Sequence, residues 1–187
     1  LAAWSTVLPQ QYFVERIGGG LVASEVLVRP GQSPEMTAPS AAQMARLARA
    51  DVSFGIGMPL EGPLFKRIES TMEGGRVVHV GGEIDDAHVH HDHSACSLHG
   101  HHHGEVDPHI WMDPVQMITL VARMRDALIA ISPENAETFQ ANAATLILEL
   151  QALDEAIRVQ LAPYAGREFF VNHPALGHFA KRYGLVQ

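Results

Sequence analysis

Eight of the 16 residues from His88 to His103 are histidine: His88, His90, His91, His93, His99, His101, His102 and His103. Imidazole is the commonest side-chain metal ligand and is largely unprotonated at neutral pH, so this density implies binding of zinc, copper or nickel. The tract is internal and broken by Asp92, Ser94, Cys96, Leu98 and Gly100, unlike a terminal tag. Every ligand must lose its proton and the segment must be ordered, so the tract by itself predicts several ions held with modest, pH-dependent affinity. Shortly after it the chain reads Asp107-Pro108-His109-Ile110-Trp111-Met112-Asp113-Pro114, and further on Asn172-His173-Pro174. A histidine at an element boundary offers what a mobile tract lacks, a ligand of fixed position.

The elements that must position these residues are legible in the hydrophobic pattern. Over the first 80 residues short apolar runs alternate with helical patterns, the mark of βαβ units and a parallel sheet. Strands are expected over 3–8, 23–28, 52–56 and 77–80, with helices over 10–17, 41–50 and 60–72. Ser40 with Gln43 three residues later forms a capping box for the second helix. From Gly81 to Val106 the periodicity vanishes and Gly, Asp and His dominate, so a long loop is expected, its histidine-rich part over 83–106. Asp113-Pro114 starts a helix that runs to Ile131, and Ser132-Pro133 starts another. In the latter Phe139, Ala143, Leu146, Leu150, Leu153, Ile157 and Leu161 form one stripe along about 40 Å. A new strand over 168–172 and a short helix to Tyr183 follow.

The expected fold class is α/β: a parallel-sheet lobe over 1–131, a long linking helix over 132–164, and the start of a second α/β lobe over 165–187. One strand and one helix bury too little surface for a stable lobe. The chain is therefore expected to be part of a longer protein or to pair with another copy, and a homodimer is one expectation. The N-terminus lacks the charged and apolar regions of a signal peptide, so any export signal is expected to have been removed.

A net charge of -8 with 13 Lys and Arg argues against nucleic acid and anionic membranes as partners and suits a cationic ligand. The single cysteine, Cys96, excludes an intrachain disulfide and a CxxC zinc module. In open α/β sheets ligands bind beyond the carboxyl ends of the strands, where segments 31–35, 107–109 and 170–174 are expected to fall.

These segments resemble the metal-binding receptors of bacterial ABC importers for zinc, manganese and iron. The resemblance rests on PGQSPE, PSAAQMARLARADVSFGIGMPLE, DPHIWMDP and FFVNHPALGHFAKRYGL, with the histidine-rich loop pointing to the zinc members. It implies two α/β lobes joined by one backbone helix, export to the periplasm or cell surface, and a membrane permease as partner. It further implies one metal ligand in each segment, with a carboxylate beyond Gln187 completing the site. His109 matches the second ligand and His173 the third. Many members carry histidine directly after the proline of the first segment, where this chain has Glu35. A carboxylate ligates zinc at a similar distance but makes the site harder in character.

Zn2+ is therefore the expected cargo, with Mn2+ or Fe2+ as the alternative: Glu35 moves the balance toward a harder ion and the histidine tract moves it back. Asp107 is expected to orient a ligand imidazole or to cap the turn. His178, about 140° round a helix from His173, is expected to line the site or pack beside it. His79 is expected to be structural, and Trp111, Met112 and Phe170 to be apolar surroundings of the site or core. Two other classes compete. A metal-dependent hydrolase would also use two histidines and a glutamate, but there is no HExxH and no evident general base. A histidine-rich metal buffer would have no fixed site.

Overall fold

The computed structural model describes residues 1–32, 38–70, 75–81 and 107–187. Glu35, Cys96 and the whole histidine tract lie outside these residues.

Four parallel strands form one sheet in the order β2-β1-β3-β4. They are β1 (Ala2–Ser5), β2 (Ala23–Val26), β3 (Val52–Gly55) and β4 (Arg76–His79). Registers are Ala2 against Ala23, Ala3 against Val52 and Val52 against Arg76. Parallel strands need crossovers, which are supplied by α1 (Leu8–Gly18), α2 (Ala41–Leu47) and α3 (Glu61–Glu69). Side chains alternate across the sheet, so both faces are covered. Ala3, Val52 and Phe54 pack with Val14 and Ile17 of α1 and with α4 (Pro114–Ile131) and α5 (Ala136–Leu161), through Met117, Leu120, Val121, Phe139 and Leu146. Trp4 packs on the opposite face with Leu27, Leu47, Leu64, Phe65 and Ile68.

Two of the expected helix starts, those of α2 and α4, are realised by the residues that signalled them. Ser40 Oγ accepts from the Gln43 N–H at 3.3 Å while the Gln43 side chain accepts from the Ser40 N–H at 3.0 Å. Asp113 Oδ1 accepts from the Val115 N–H at 2.9 Å, with Pro114 as the first residue of α4.

The first strand is shorter than expected, ending at Ser5, and α1 begins at Leu8. The cause is the buried Gln10, whose side-chain oxygen reaches back to the N–H groups of Thr6 and Val7 at 3.0 and 3.2 Å. Glu61, also buried, accepts from Thr6 Oγ1 at 2.5 Å and from the N–H groups of Ile56 and Gly57. These side chains occupy the switch point between β1 and β3. Immediately after β4 the chain passes close to β3: a Cβ on Gly81 would lie 2.1 Å from the Ile56 carbonyl oxygen, so that crossing requires glycine.

At 26 residues α5 is about 39 Å long. A 3-10 turn, Pro133–Asn135, precedes it and displaces its start beyond the expected Ser132-Pro133 signal. Only the first part of its stripe is buried: Phe139, Ala143, Leu146 and Leu150 are core, whereas Leu153 is 48% exposed.

The expected strand over 168–172 is instead a single bridge, Glu168 to Val186, with the Phe169 N–H donating to the Val186 oxygen at 2.9 Å. Strand propensity becomes a strand only where a neighbouring backbone runs alongside, and among the described residues Val186 alone supplies that. Phe170 is 93% exposed and so is not core. Helix α6 (Gly177–Tyr183) follows, ended by Gly184 in the left-handed conformation.

Candidate metal centre

His109 lies just before a 3-10 turn, Ile110–Met112, whose Ile110 is buried and lines the same cavity as Val80 at the end of β4. The core contact of Ile110 thereby fixes the turn beyond the carboxyl end of β4. Asp107 orients the imidazole, its Oδ1 accepting from the His109 backbone N–H at 3.0 Å and lying 2.6 Å from His109 Nδ1. Burial works to raise the Asp107 carboxyl, but the backbone and ring bonds from His109 outweigh it and hold the group below its ordinary range. A carboxylate can only accept, so Nδ1 is the protonated nitrogen and Nε2 presents its lone pair outward. Trp111 stands edge-on to the ring, with centroids 5.0 Å apart.

His173 comes from the turn before α6, 64 residues away in sequence, and its Nε2 lies 3.0 Å from His109 Nε2. Two nitrogens on one tetrahedral zinc, each bonded at about 2.0–2.1 Å, stand about 3.3 Å apart. The observed spacing needs only a few tenths of an ångström of opening to admit a cation between the rings. His109 is largely enclosed while His173 is exposed, so the pair joins a buried, oriented ligand to an accessible one. Among the described residues no group of three or more His, Cys, Asp or Glu converges on a point.

His178 does not join the pair. Its Nε2 lies 2.9 Å from the Asp107 carbonyl oxygen, and its Nδ1 lies 2.9 Å from Gln116 Nε2, so both ring nitrogens are engaged. His79 stands edge-on to Phe65, with centroids 5.5 Å apart, and takes no part.

A second layer behind the pair escaped the reading of the sequence. Arg182 grips Asp113 with both sides of its fork, Nε donating to Oδ1 at 2.9 Å and Nη2 to Oδ2 at 2.8 Å, and Gln116 Nε2 donates to Oδ2 at 3.3 Å. Burial would raise the Asp113 carboxyl, but the bond and charge of Arg182 overcome it and hold the group low. The available signal was weak: His178 and Arg182 are four apart on one helix face, as are Asp113 and Gln116 at three.

The sequence profile of the ZnuA family, described as zinc-uptake complex component A, periplasmic, matches residues 4–187. The zinc-binding lipoprotein AdcA of Streptococcus pneumoniae is 34% identical over 98% of this chain and 37% of its own length. A ZnuA deletion mutant with zinc bound superposes with a TM-score of 0.84 and 29% identity, covering all of this chain and 68% of that one. The Zn(II)-bound ZnuA-like domain of S. pneumoniae AdcA gives 0.79 and 28% identity over all of this chain and 65% of that one. The chain thus spans little more than a third of the curated relative and about two thirds of the solved structures. With its profile matched along nearly the whole length, the chain belongs to the ZnuA family of periplasmic zinc-uptake components.

Proposed function

We propose that this chain is the receptor part of an ABC metal importer, capturing a divalent transition metal and delivering it to a membrane permease. The observation that carries the reading is the convergence of the His109 and His173 Nε2 atoms at 3.0 Å, with the Asp107 carboxylate on the far nitrogen of His109. Zinc is the first choice of cargo, because the relatives named above are zinc-binding proteins. Mn2+ or Fe2+ remains the alternative within the same family, and Glu35 is the residue that would favour it.

In this reading the chain makes and breaks no covalent bond. His109 supplies a lone pair whose direction is already set, so little ordering cost accompanies capture. His173 closes on the ion from the exposed side, and Glu35 supplies negative charge from the segment after β2. Release requires one ligand to move away. The stiff α5 rod would permit a small tilt of the 165–187 segment rather than a wide hinge. The histidine tract acts as a feeder of low affinity, and the site of action is the periplasm or the cell surface. Among the described residues no helix is long and apolar enough to cross a membrane.

Competitive titration with zinc and manganese tests this, using the chain without residues 86–104 beside Glu35→Ala, His109→Ala and His173→Ala. The expected result is one tight zinc site weakened by each substitution. Loss of all tight binding with the tract removed would mean that the chain is a histidine-rich buffer, or that the rest of the second lobe is indispensable to the site. Turnover of an ester or peptide would favour the hydrolase class, and none is expected. Pairing of two copies through the exposed edge at Phe170 is a separate proposal, which sedimentation as a clean monomer across micromolar concentrations would end.

A further inference from the structure

We infer that α6 is the element that sets the direction of the His109 imidazole, with His178 and Gly177 as positioning residues and the Arg182–Asp113 pair fixing α6 against α4. This rests on the proposal that His109 takes the metal, and it concerns what holds that ligand still.

The His109 ring is aimed by Asp107, so the question passes to what fixes Asp107. Its backbone oxygen accepts from His178 Nε2 at 2.9 Å. Gln116 Nε2 donates to His178 Nδ1 at 2.9 Å, which places the His178 proton on Nε2, where the Asp107 carbonyl needs it. The same contacts leave His178 without a free lone pair, so it acts on the metal through Asp107 and not as a ligand.

Gly177 makes the second contact. A Cβ built there would lie 2.8 Å from Asp107 Oδ2, closer than such atoms approach, so any larger residue must push the carboxylate or the helix away. The Gly177 backbone has no left-handed φ, and space alone accounts for the glycine.

Arg182, one turn beyond His178, anchors the helix. Asp113 is 3% exposed and receives the guanidinium through two nitrogens, a fork geometry that fixes orientation as well as distance. Because His173 lies only four residues before Gly177, one docked helix governs both imidazoles: it aims His109 through Asp107 and carries the turn that brings His173 to it.

Two measurements on the full chain test this. In the metal-free protein, ring nitrogen chemical shifts should assign the His109 proton to Nδ1; His178→Ala should give a mixture of tautomers, and His178→Gln, which keeps an N–H near the Asp107 carbonyl, should restore the single form. In zinc titration against a competing chelator, His178→Ala and Gly177→Ala should weaken the tight site by about 10–100-fold, His178→Gln should stay close to the parent, and binding by the histidine tract should not change. Parent-like tautomer and affinity in His178→Ala would overturn the inference. Equal loss in His178→Ala and His178→Gln, with equal falls in melting temperature, would also overturn it, because the role would then be packing alone. If His109→Ala leaves the tight site intact, the ligand assignment fails, while the metal-free tautomer still decides the positioning claim.

Discussion

His109 and Asp107 illustrate how a ligand is prepared before its ion arrives. The carboxylate removes a choice of tautomer from the imidazole, and it is itself held ionised by the bonds it accepts. Replacing Asp107 by Ala should therefore lower zinc affinity by about 10–100-fold without removing any ligand, measured by chelator competition. Unchanged affinity would mean that the carboxylate only caps the turn. His109 and His173 could be picked out of the sequence as candidates because both stand beside proline in short motifs at element ends. Arg182 and Gln116 were not, because their partners Asp113 and His178 lie 69 and 62 residues away and no local pattern joins them.

At the scale of elements, Asp113 does two tasks, capping α4 and receiving Arg182 from α6. Arg182→Met would leave a buried carboxylate with its cap bonds and the single bond from the Gln116 amide, and no opposite charge. The expected cost is about 2 kcal/mol in denaturant unfolding, below the range for a fully buried pair because Arg182 is 31% exposed. The folded-state pKa of Asp113 lies below its ordinary 3.8, so its contribution is complete above that value and is lost as pH falls through the lower, folded value. The stability gap between the parent and Arg182→Met should accordingly narrow in acid melts below about pH 4, and a gap constant down to pH 2 would contradict this account.

The stripe of α5 offers a contrast between two positions of one pattern. Phe139 is fully buried, and its replacement by Ala should cost about 3–5 kcal/mol. Leu153→Ala should cost under about 1 kcal/mol, since that residue is 48% exposed. Equal losses would mean that the distal half of the helix is covered in solution. Periodicity identified the helix and its apolar face but could not say which part of the face meets a partner. Caps fixed the starts of α2 and α4, whereas the shortened β1 depended on the reach of Gln10, a tertiary detail that strand propensity does not carry. The run over 168–172 failed as a strand for lack of neighbouring backbone.

For the whole molecule, the parallel sheet, the long helix and the convergence of two distant motifs were all foreseeable, because alternating patterns and capped helices leave few topologies open. The filled switch point was not, since Thr6, Gln10 and Glu61 look unremarkable until the fold brings them together. The histidine tract and the fixed pair should behave as separable parts. Removing residues 86–104 should abolish the weak, strongly pH-dependent zinc equivalents seen by calorimetry and leave a single tight one.

The central claim is that one metal ion sits between His109 and His173. Anomalous diffraction at the zinc edge from crystals of the zinc-loaded full chain addresses it without reference to affinity. The account predicts a peak within about 2.0–2.1 Å of both Nε2 atoms, with His178 still bonded to Asp107. Zinc found only among the histidines of 88–103, with His109 and His173 bearing no metal, would contradict it.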